Sequence, residues 1–473
     1  MSFIYEPVYE GEGLIGDPVH HYIVFTTPKR KNIKEVTEKD LIDSNWVQRL
    51  RYIYQLQSSR WVYPSAEHSR FQHSVGTMHL ASKFIRRLYT SLKKAVTDTP
   101  SYPLVEETLR IAGLFHDVGH GPFGHFFEEH YLSKYKVTHE EISQKIIIDE
   151  LGDLISKIKR SPSGEFDKNE YLKPEYCAYL IDKSERNKLK ISAPKWIKML
   201  KPLFSGVYTL DNIDYVLRDS YMCGVAIGPV DINRLLYYTF FSPKGLTLHT
   251  GGASALTMFL IARLYLYTNV YFHRTTRAID IQLKEIFKPT IDLFNIKNPL
   301  LNIKQYFMYT DWYIMEEVKK WSQSSNPIKI KLAKLWDNIF KRKIEWKMIF
   351  DEILSFNPYL NQKIMFSSNE FEKKIRAKLP VNIRNVEICI DYAAQDGRPI
   401  NPLNMGDKQI YIFNPNTKEI STEPLHKLFE YIPAKVIKCR VFSKSYKNAK
   451  LISKAAQSAF KELMQYNAAY LTS

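Results

Sequence analysis

Apolar residues recur at three- and four-residue spacing through Phe71–Leu92, Leu104–Phe115, Thr138–Leu151 and Ala253–Phe287. That period predicts a mostly helical chain from residue 34 to 290. Thr138-His-Glu-Glu141 has the form of a capping box, so a helix should begin at His139. Ahead of this region, Tyr22-Ile-Val-Phe25 is a strand candidate between Pro18 and Pro28. The stretch Lys159–Asn169 is polar, contains Ser-Pro-Ser-Gly and reads as a loop. Beyond about residue 375 the pattern changes. Asn385–Asp391, Gln409–Phe413 and Ala434–Phe442 alternate or run apolar like strands, punctuated by Gly397, Pro399 and Asn414-Pro415, and a helix over Lys450–Tyr466 follows. The expected fold is mainly α, in four parts. These are a short β-rich N-terminal segment (1–33), a helical domain (34–290), a helical extension (291–375) and a small α+β C-terminal subdomain (376–473).

Composition narrows the function classes only slightly. A chain of 473 residues can bury a large core and a smaller second one. With 45% hydrophobic and 25% charged residues, disorder is excluded. Sixty-seven Lys and Arg against 50 Asp and Glu give a formal charge of +17. That excess suits nucleotides, nucleic acid or another acidic surface, and equally a Lys-rich solvated exterior. Cys177, Cys223, Cys389 and Cys439 are far apart and form no C-x-x-C pair, so neither disulfides nor a Cys-ligated zinc is expected, and a cytoplasmic location is. The first residues lack the basic and apolar regions of a signal peptide. Thr257–Phe272 is interrupted by Arg263 and Asn269, too short and polar to span a bilayer, so no membrane partner is expected.

The chemistry concentrates in Gly113-Leu-Phe-His-Asp-Val-Gly-His-Gly-Pro-Phe-Gly-His125. Side chains of adjacent helical residues diverge by about 100°. His116 and Asp117 can therefore share an ion only where their helix is ending. Glycines 119, 121 and 124 let the backbone turn tightly there and return His120 and His125 to the same neighbourhood. Arg70-Phe-Gln-His73 supplies another imidazole. Leu210–Asp219 supplies carboxylates: Asp211, Tyr215 and Asp219 fall on one helical face, while Asp214 and Arg218 form an i, i+4 pair resembling a surface ion pair. Asp214 is the rival to Asp211 as a ligand. Two imidazoles and two carboxylates favour one Fe, Mn, Zn or Mg ion, able to polarise a phosphoryl oxygen.

The order His73, His116–Asp117, Asp211 resembles the HD superfamily of metal phosphohydrolases. In detail the chain is similar to its dNTP triphosphohydrolase branch, which holds the bacterial dGTPases and the mammalian SAM-and-HD-domain dNTPase. The matching stretches are Gln48–Leu56, Arg70–Gly76, His116–His125, Asp211–Asp219, Val270–His273 and Asp391-Tyr-Ala-Ala-Gln. The resemblance implies an HD-domain helical core with metal ligands His73, His116, Asp117 and Asp211. It implies catalytic roles for His120, His125 and His139, with Glu128 where the family usually has Asp. Substrate contacts would be Gln55, Leu56, Arg70, Tyr215, Asp219, Arg263 and Tyr271. Two positions depart from close relatives: Asn212 stands where Lys often holds a phosphate, and Tyr267 where the mammalian enzyme has His. Asp43, Gln48, Arg51 and Arg234 match residue types of a site for an activating nucleotide, and a homodimer or tetramer is implied.

The expected reaction is water attack on the α-phosphorus of a dNTP, releasing a deoxynucleoside and inorganic triphosphate. Two alternatives stay open: an HD phosphohydrolase acting on a monophosphate or signalling nucleotide, and a nucleic-acid-binding or nucleotide-sensing protein with little turnover. As isolated features, His73, His125, His139 and the two tyrosines are equally compatible with ordinary structural roles. His20, His21 and His79 are read as structural.

Overall fold

The computed structural model describes residues 10–29, 34–183, 190–356, 366–399 and 401–471. The part of the N-terminal segment over 1–9 and 30–33 lies outside them. The helix Arg70–Ala95, 26 residues long, is the spine. Its start is fixed by a capping box between Ser69 and Gln72, and it buries Phe71, Val75, Met78, Phe84, Ile85, Leu88 and Leu92. The helix Tyr102–Phe115, with Pro103 in its first turn, packs along it and is buried from Leu104 onward. Helix Leu210–Cys223 lies against the spine on another side.

Strands β1 (Glu12–Asp17) and β2 (His21–Thr26) form an antiparallel hairpin. Its turn is closed by Asp17 Oδ1, which accepts from the amides of Val19 and His20. The hairpin is stitched to the helical core by a buried exchange: Thr26 N–H donates to Glu38, and Glu38 N–H donates to Thr26 Oγ1. Glu38 also accepts from the fully buried Arg110. Such a pair offsets its desolvation because both Glu38 oxygens are hydrogen-bonded, one to Arg110 and the other to Arg110 and the Thr26 amide.

Four strand features depart from the sequence expectation. Arg160–Ser161 (β3) and Gly164–Glu165 (β4) form a small hairpin inside the expected loop, with Arg160 buried against Glu35 and the carbonyls of Gly11 and Thr27. Thr239–Ser242 (β5) and Gly245–His249 (β6) form a hairpin inside the expected helical domain. Lys347–Phe356 (β7) lies within the expected helical extension and pairs with β11 (Lys435–Ser443), which also pairs with β8 (Ile388–Asp396). Finally, β9 (Tyr411–Asn414) and β10 (Glu419–Ser421) join β5 and β6 in one sheet of order β10-β9-β6-β5. For β7 with β11 and for β6 with β9 the partner strand lies far along the chain, and local pattern carries no signal for it. The β7-β11-β8 sheet packs on helices Ser368–Lys378 and Ala449–Leu471 around a second core of Phe350, Phe371, Ile375, Val441, Ile452 and Phe460.

The long helical pattern 253–287 is broken as well. Helix Ala253–Leu266 runs into a π-helical turn, Tyr267–Tyr271, and a second helix, Arg274–Phe294, leaves at 59°. Phe272 N–H bonds to Tyr267 O, and His273 Nδ1 accepts from Thr275 N–H, restarting the helix. Among the described residues no single helix is long and apolar enough to cross a membrane. All four cysteines are free.

Candidate metal centre and active site

Helix Tyr102–Phe115 stops where the chemistry begins. His116 is its C-cap and Asp117 the next residue, so the two side chains escape helical divergence and converge, His116 Nε2 lying 3.4 Å from Asp117 Oδ1. His73 comes from the first turn of the spine and Asp211 from the first turn of helix Leu210–Cys223. His73 Nε2 lies 3.1 Å from His116 Nε2, 3.2 Å from Asp211 Oδ1 and 3.9 Å from Asp117 Oδ2, and His116 Nε2 lies 3.8 Å from Asp211 Oδ1. A divalent ion with donor bonds of about 2.0–2.2 Å spaces neighbouring donors by roughly 3.0–3.5 Å. The spacing of His73, His116 and Asp211 suits one ion, with Asp117 standing beside them.

The tautomers point the same way. His73 Nδ1 donates to Asp214 Oδ2 at 2.8 Å and His116 Nδ1 donates to Gly113 O at 2.7 Å. With each Nδ1 engaged, Nε2 is the nitrogen each ring presents to the other across a buried site. That arrangement calls for positive charge between the rings, supplied by a proton or by a metal ion. Burial alone would lower the His73 pKa, but the bonds to Asp211 and Asp214 raise it to about 10, which marks the strength of the local demand for positive charge.

Asp214 and Arg218 are not the surface ion pair expected from sequence: both are buried. Asp214 accepts from His73 Nδ1, His20 Nε2, Arg218 Nε and Arg218 Nη2, which occupies both oxygens and removes it as a rival ligand. Arg218 in turn donates to Asp17 at 2.6 Å, tying the N-terminal hairpin to the orientation of His73. Gly76 makes this possible. A Cβ there would stand 2.0 Å from Asp214 Oδ1 and 2.3 Å from Arg218 Nη2. Gly76→Ala is therefore expected to cost about 1–3 kcal/mol of stability and to lower metal content, read by thermal unfolding and by metal analysis of the purified protein.

A second cluster adjoins the first. His120 and His139 stack at 3.8 Å between ring centroids with 15° between planes, and His125 meets both edge-on. Gly119 allows the approach, since a Cβ would lie 2.2 Å from His139 O. Stacked rings hold their nitrogen lone pairs in nearly parallel planes, so His120 and His139 cannot converge on one ion, close though their nitrogens are. This group suits proton handling. Glu128 reaches His139 Nδ1 at 2.6 Å and His125 Nδ1 at 3.6 Å, so its extra methylene is accommodated. Burial would lower the His139 pKa, yet Glu140 and Glu128 raise it overall. Burial holds His120 well below the usual imidazole range, reinforced by Arg70, and both its nitrogens are buried without a hydrogen-bond partner. His125 is exposed at the mouth.

Both clusters open on a cavity of about 390 Å³. Gln55, Leu56, Arg70, Tyr215, Asp219 and Tyr271 all line it, together with Asn212 and Tyr267. The π-helical turn places Tyr267 and Tyr271 on the same wall, and Tyr271 Oη donates to Asp219 at 2.5 Å while His68 Nε2 holds its other oxygen at 2.9 Å. Arg263 does not line the cavity. Its Nη2 reaches the carbonyl of Asp396 instead, because helix Ala253–Leu266 presents that face to the C-terminal subdomain. Sequence reading missed Lys183, Arg277 and Asp280 in the wall, and His68 behind it. Arg277 is held by Asp391, which explains the matching Asp391-Tyr-Ala-Ala-Gln tail, and the i, i+3 spacing of Arg277 and Asp280 was a readable signal.

Of the residues matched to an activator site, Asp43, Gln48 and Arg51 are neighbours: Gln48 Nε2 donates to Ile42 O, Arg51 Nε to Gln48 Oε1, and Asp43 pairs with Lys39. Arg51 rests on Phe71 at one end of the spine. Arg234 rests on Tyr238, next to Tyr237, whose carbonyl accepts from Arg87, about 24 Å further along the same helix. One chain does not bring the four together.

Residues 70–187 match the HD domain family, and residues 230–396 match the HD associated region. The uncharacterized protein YwfO of Bacillus subtilis is 31% identical over 58% of this chain and 55% of its own. An uncharacterized protein of Methanocaldococcus jannaschii is 30% identical over 60% of this chain and 54% of its own. The chain thus spans about half the length of these curated relatives. A deoxynucleoside triphosphate triphosphohydrolase SAMHD1 homolog of Dictyostelium discoideum is 27% identical over 76% of this chain and 66% of its own. A solved structure of a hypothetical protein from Aquifex aeolicus shares the fold, with TM-score 0.66 and 22% identity over 95% of this chain and 100% of that one. Two matched regions in tandem, an HD domain and an HD associated region, with His73, His116 and Asp117 inside the first and Asp211 between the two, make this an HD-domain chain.

Proposed function

We propose that the protein hydrolyses deoxynucleoside triphosphates to a deoxynucleoside and inorganic triphosphate. The carrying observation is the pair of buried, converging Nε2 atoms of His73 and His116, joined by Asp117 and Asp211, opening on one nucleotide-sized cavity with the imidazoles of His125 and His139 in its wall. The name of the relative from Dictyostelium discoideum supports the substrate class. A bound divalent ion would polarise a phosphoryl oxygen and orient an attacking water. The wall itself carries three cations, Arg70, Lys183 and Arg277, against four carboxylates, Asp117, Asp211, Asp219 and Asp280. It becomes net positive toward a polyphosphate only with that ion in place.

In this reading Arg70, anchored on Asp117 at 2.5 Å, orients phosphate oxygens. His139, whose pKa is raised by Glu140 and Glu128, delivers a proton toward the leaving deoxynucleoside, and His125 stands at the entrance to assist. Tyr215 and Tyr271 close the sugar side, while Gln55 and Asp219 read the 3′-hydroxyl. Tyr271→Ala should remove the wall that excludes a 2′-hydroxyl. The dNTP-to-NTP ratio of kcat/KM is then expected to fall roughly tenfold in paired steady-state assays. A homo-oligomer belongs to this reading, since Arg234 could reach the Asp43, Gln48 and Arg51 group only from a second copy.

The deciding experiment incubates the protein with each dNTP and Mn²⁺ or Mg²⁺ and separates products by chromatography. Deoxynucleoside with triphosphate in equal amounts is the expected result. Orthophosphate release, or turnover of monophosphates alone, would assign the centre to another nucleotide.

A further inference from the structure

Three cations line the cavity, and two of them are paired closely with carboxylates of the protein itself. Arg70 is 4% exposed and gives Nη1 to Asp117, while its Nε is buried without a partner. Arg277 grips Asp391 with Nε and Nη2 and Asp280 with Nη1. Lys183 is different. Its side chain is 41% exposed, and among the described residues it gives one hydrogen bond, to Asp211 Oδ2 at 3.3 Å. The next carboxylate, Glu140, is 4.0 Å away, beyond hydrogen-bonding range. An ammonium has three donors, so two remain for a ligand.

The two oxygens of Asp211 divide the work. Oδ1 faces His73 Nε2 and His116 Nε2, on the side where an ion would sit, and Oδ2 takes Lys183. Lys183 therefore does not compete with an ion for Asp211. Asn212, next in the chain, lines the same wall and carries no charge. A polyanion held at the metal centre has Lys183 within reach as the most exposed cation of the wall. We propose that Lys183 is a second phosphate grip of this cavity, beside Arg70: its ammonium binds a non-bridging oxygen of the polyphosphate chain across Asp211 from the metal centre. This rests on the triphosphate reading above and adds to it a second residue that holds the chain.

The test measures binding of inorganic tripolyphosphate to the full-length, Mn²⁺-loaded protein by calorimetry, with metal content determined on the same samples. Lys183→Ala and Lys183→Gln should each weaken binding about tenfold or more, with metal content unchanged. Lys183→Arg should keep most of the affinity, and Asn212→Lys in the Lys183→Ala background should restore part of it, which a purely structural role would not. Absence of binding by the unmodified protein, unchanged affinity in both neutral variants, or metal loss in step with affinity loss would each overturn the assignment. Turnover of dNTPs by the unmodified protein, followed in parallel, judges the substrate reading separately. A protein that binds triphosphate through Lys183 yet releases no deoxynucleoside keeps the grip and loses the proposed substrate.

Discussion

Asp211→Asn, and separately His116→Ala with Asp117→Ala, are expected to strip the divalent ion from the purified protein and to lower phosphohydrolase turnover by about 10³-fold or more. Each change removes donors from a set already spaced for one ion, at 3.1 to 3.9 Å apart. Asparagine keeps the shape of Asp211 and its amide oxygen, but loses the charge that faces His73 and His116. Asp214→Asn is a graded control. It leaves the four donors intact and weakens the anchor on His73 Nδ1 together with the bonds from His20 and Arg218, so metal affinity should fall about 10- to 100-fold rather than vanish, with some loss of stability. Metal analysis beside initial rates decides the matter. An Asp211→Asn protein with full metal and full rate would locate the ion elsewhere.

Glu128→Gln should act on the proton rather than on the metal. Glu128 Oε2 holds His139 Nδ1 at 2.6 Å, and with Glu140 it keeps the His139 pKa raised against the burial that would lower it. A raised imidazole pKa means the acid form persists to higher pH. Removing the Glu128 charge lowers that pKa, so the alkaline limb of the rate profile moves to lower pH, and kcat falls about 10²-fold. The same sign governs stability: the His139 contribution is fully present below the unfolded pKa, is lost as pH rises through the folded one, and shrinks in the variant. Metal content should not change. A lower melting temperature with an unmoved pH profile would make Glu128 a purely structural support.

How far the sequence reached can be judged at particular residues. His116–Asp117 was legible because an apolar helix running straight into His-Asp-Val-Gly has to end there. Asp211, Tyr215 and Asp219 were legible because helical period alone puts them on one face, and all three line the cavity. Asp214 and Arg218 obey the same period, and there the local pattern misled. An i, i+4 pair looks identical on a wet face and in a core, and only the neighbours of Gly76 show that this face is buried. Arg263 misled for a related reason: its helix is buried on several sides, so spacing could not say whether the guanidinium faces the cavity or the carbonyl of Asp396. Strand β7 was missed since its partner β11 lies far along the chain.

Determined locally were the helical spine, the termination of the helix before His116 and the types of donor available. Periodicity, capping and glycine placement act over a few residues, and a reader of the chain sees the same few residues. What the tertiary structure decided was direction and company: which Asp is a donor and which an anchor, that Glu128 spans to His139, that Lys183 leans on the outer oxygen of Asp211. These follow from packing between different segments, up to nearly two hundred residues apart where Asp214 meets both His20 and His73. Burial and hydrogen-bond completion are properties of that packing, and no short stretch of sequence contains them.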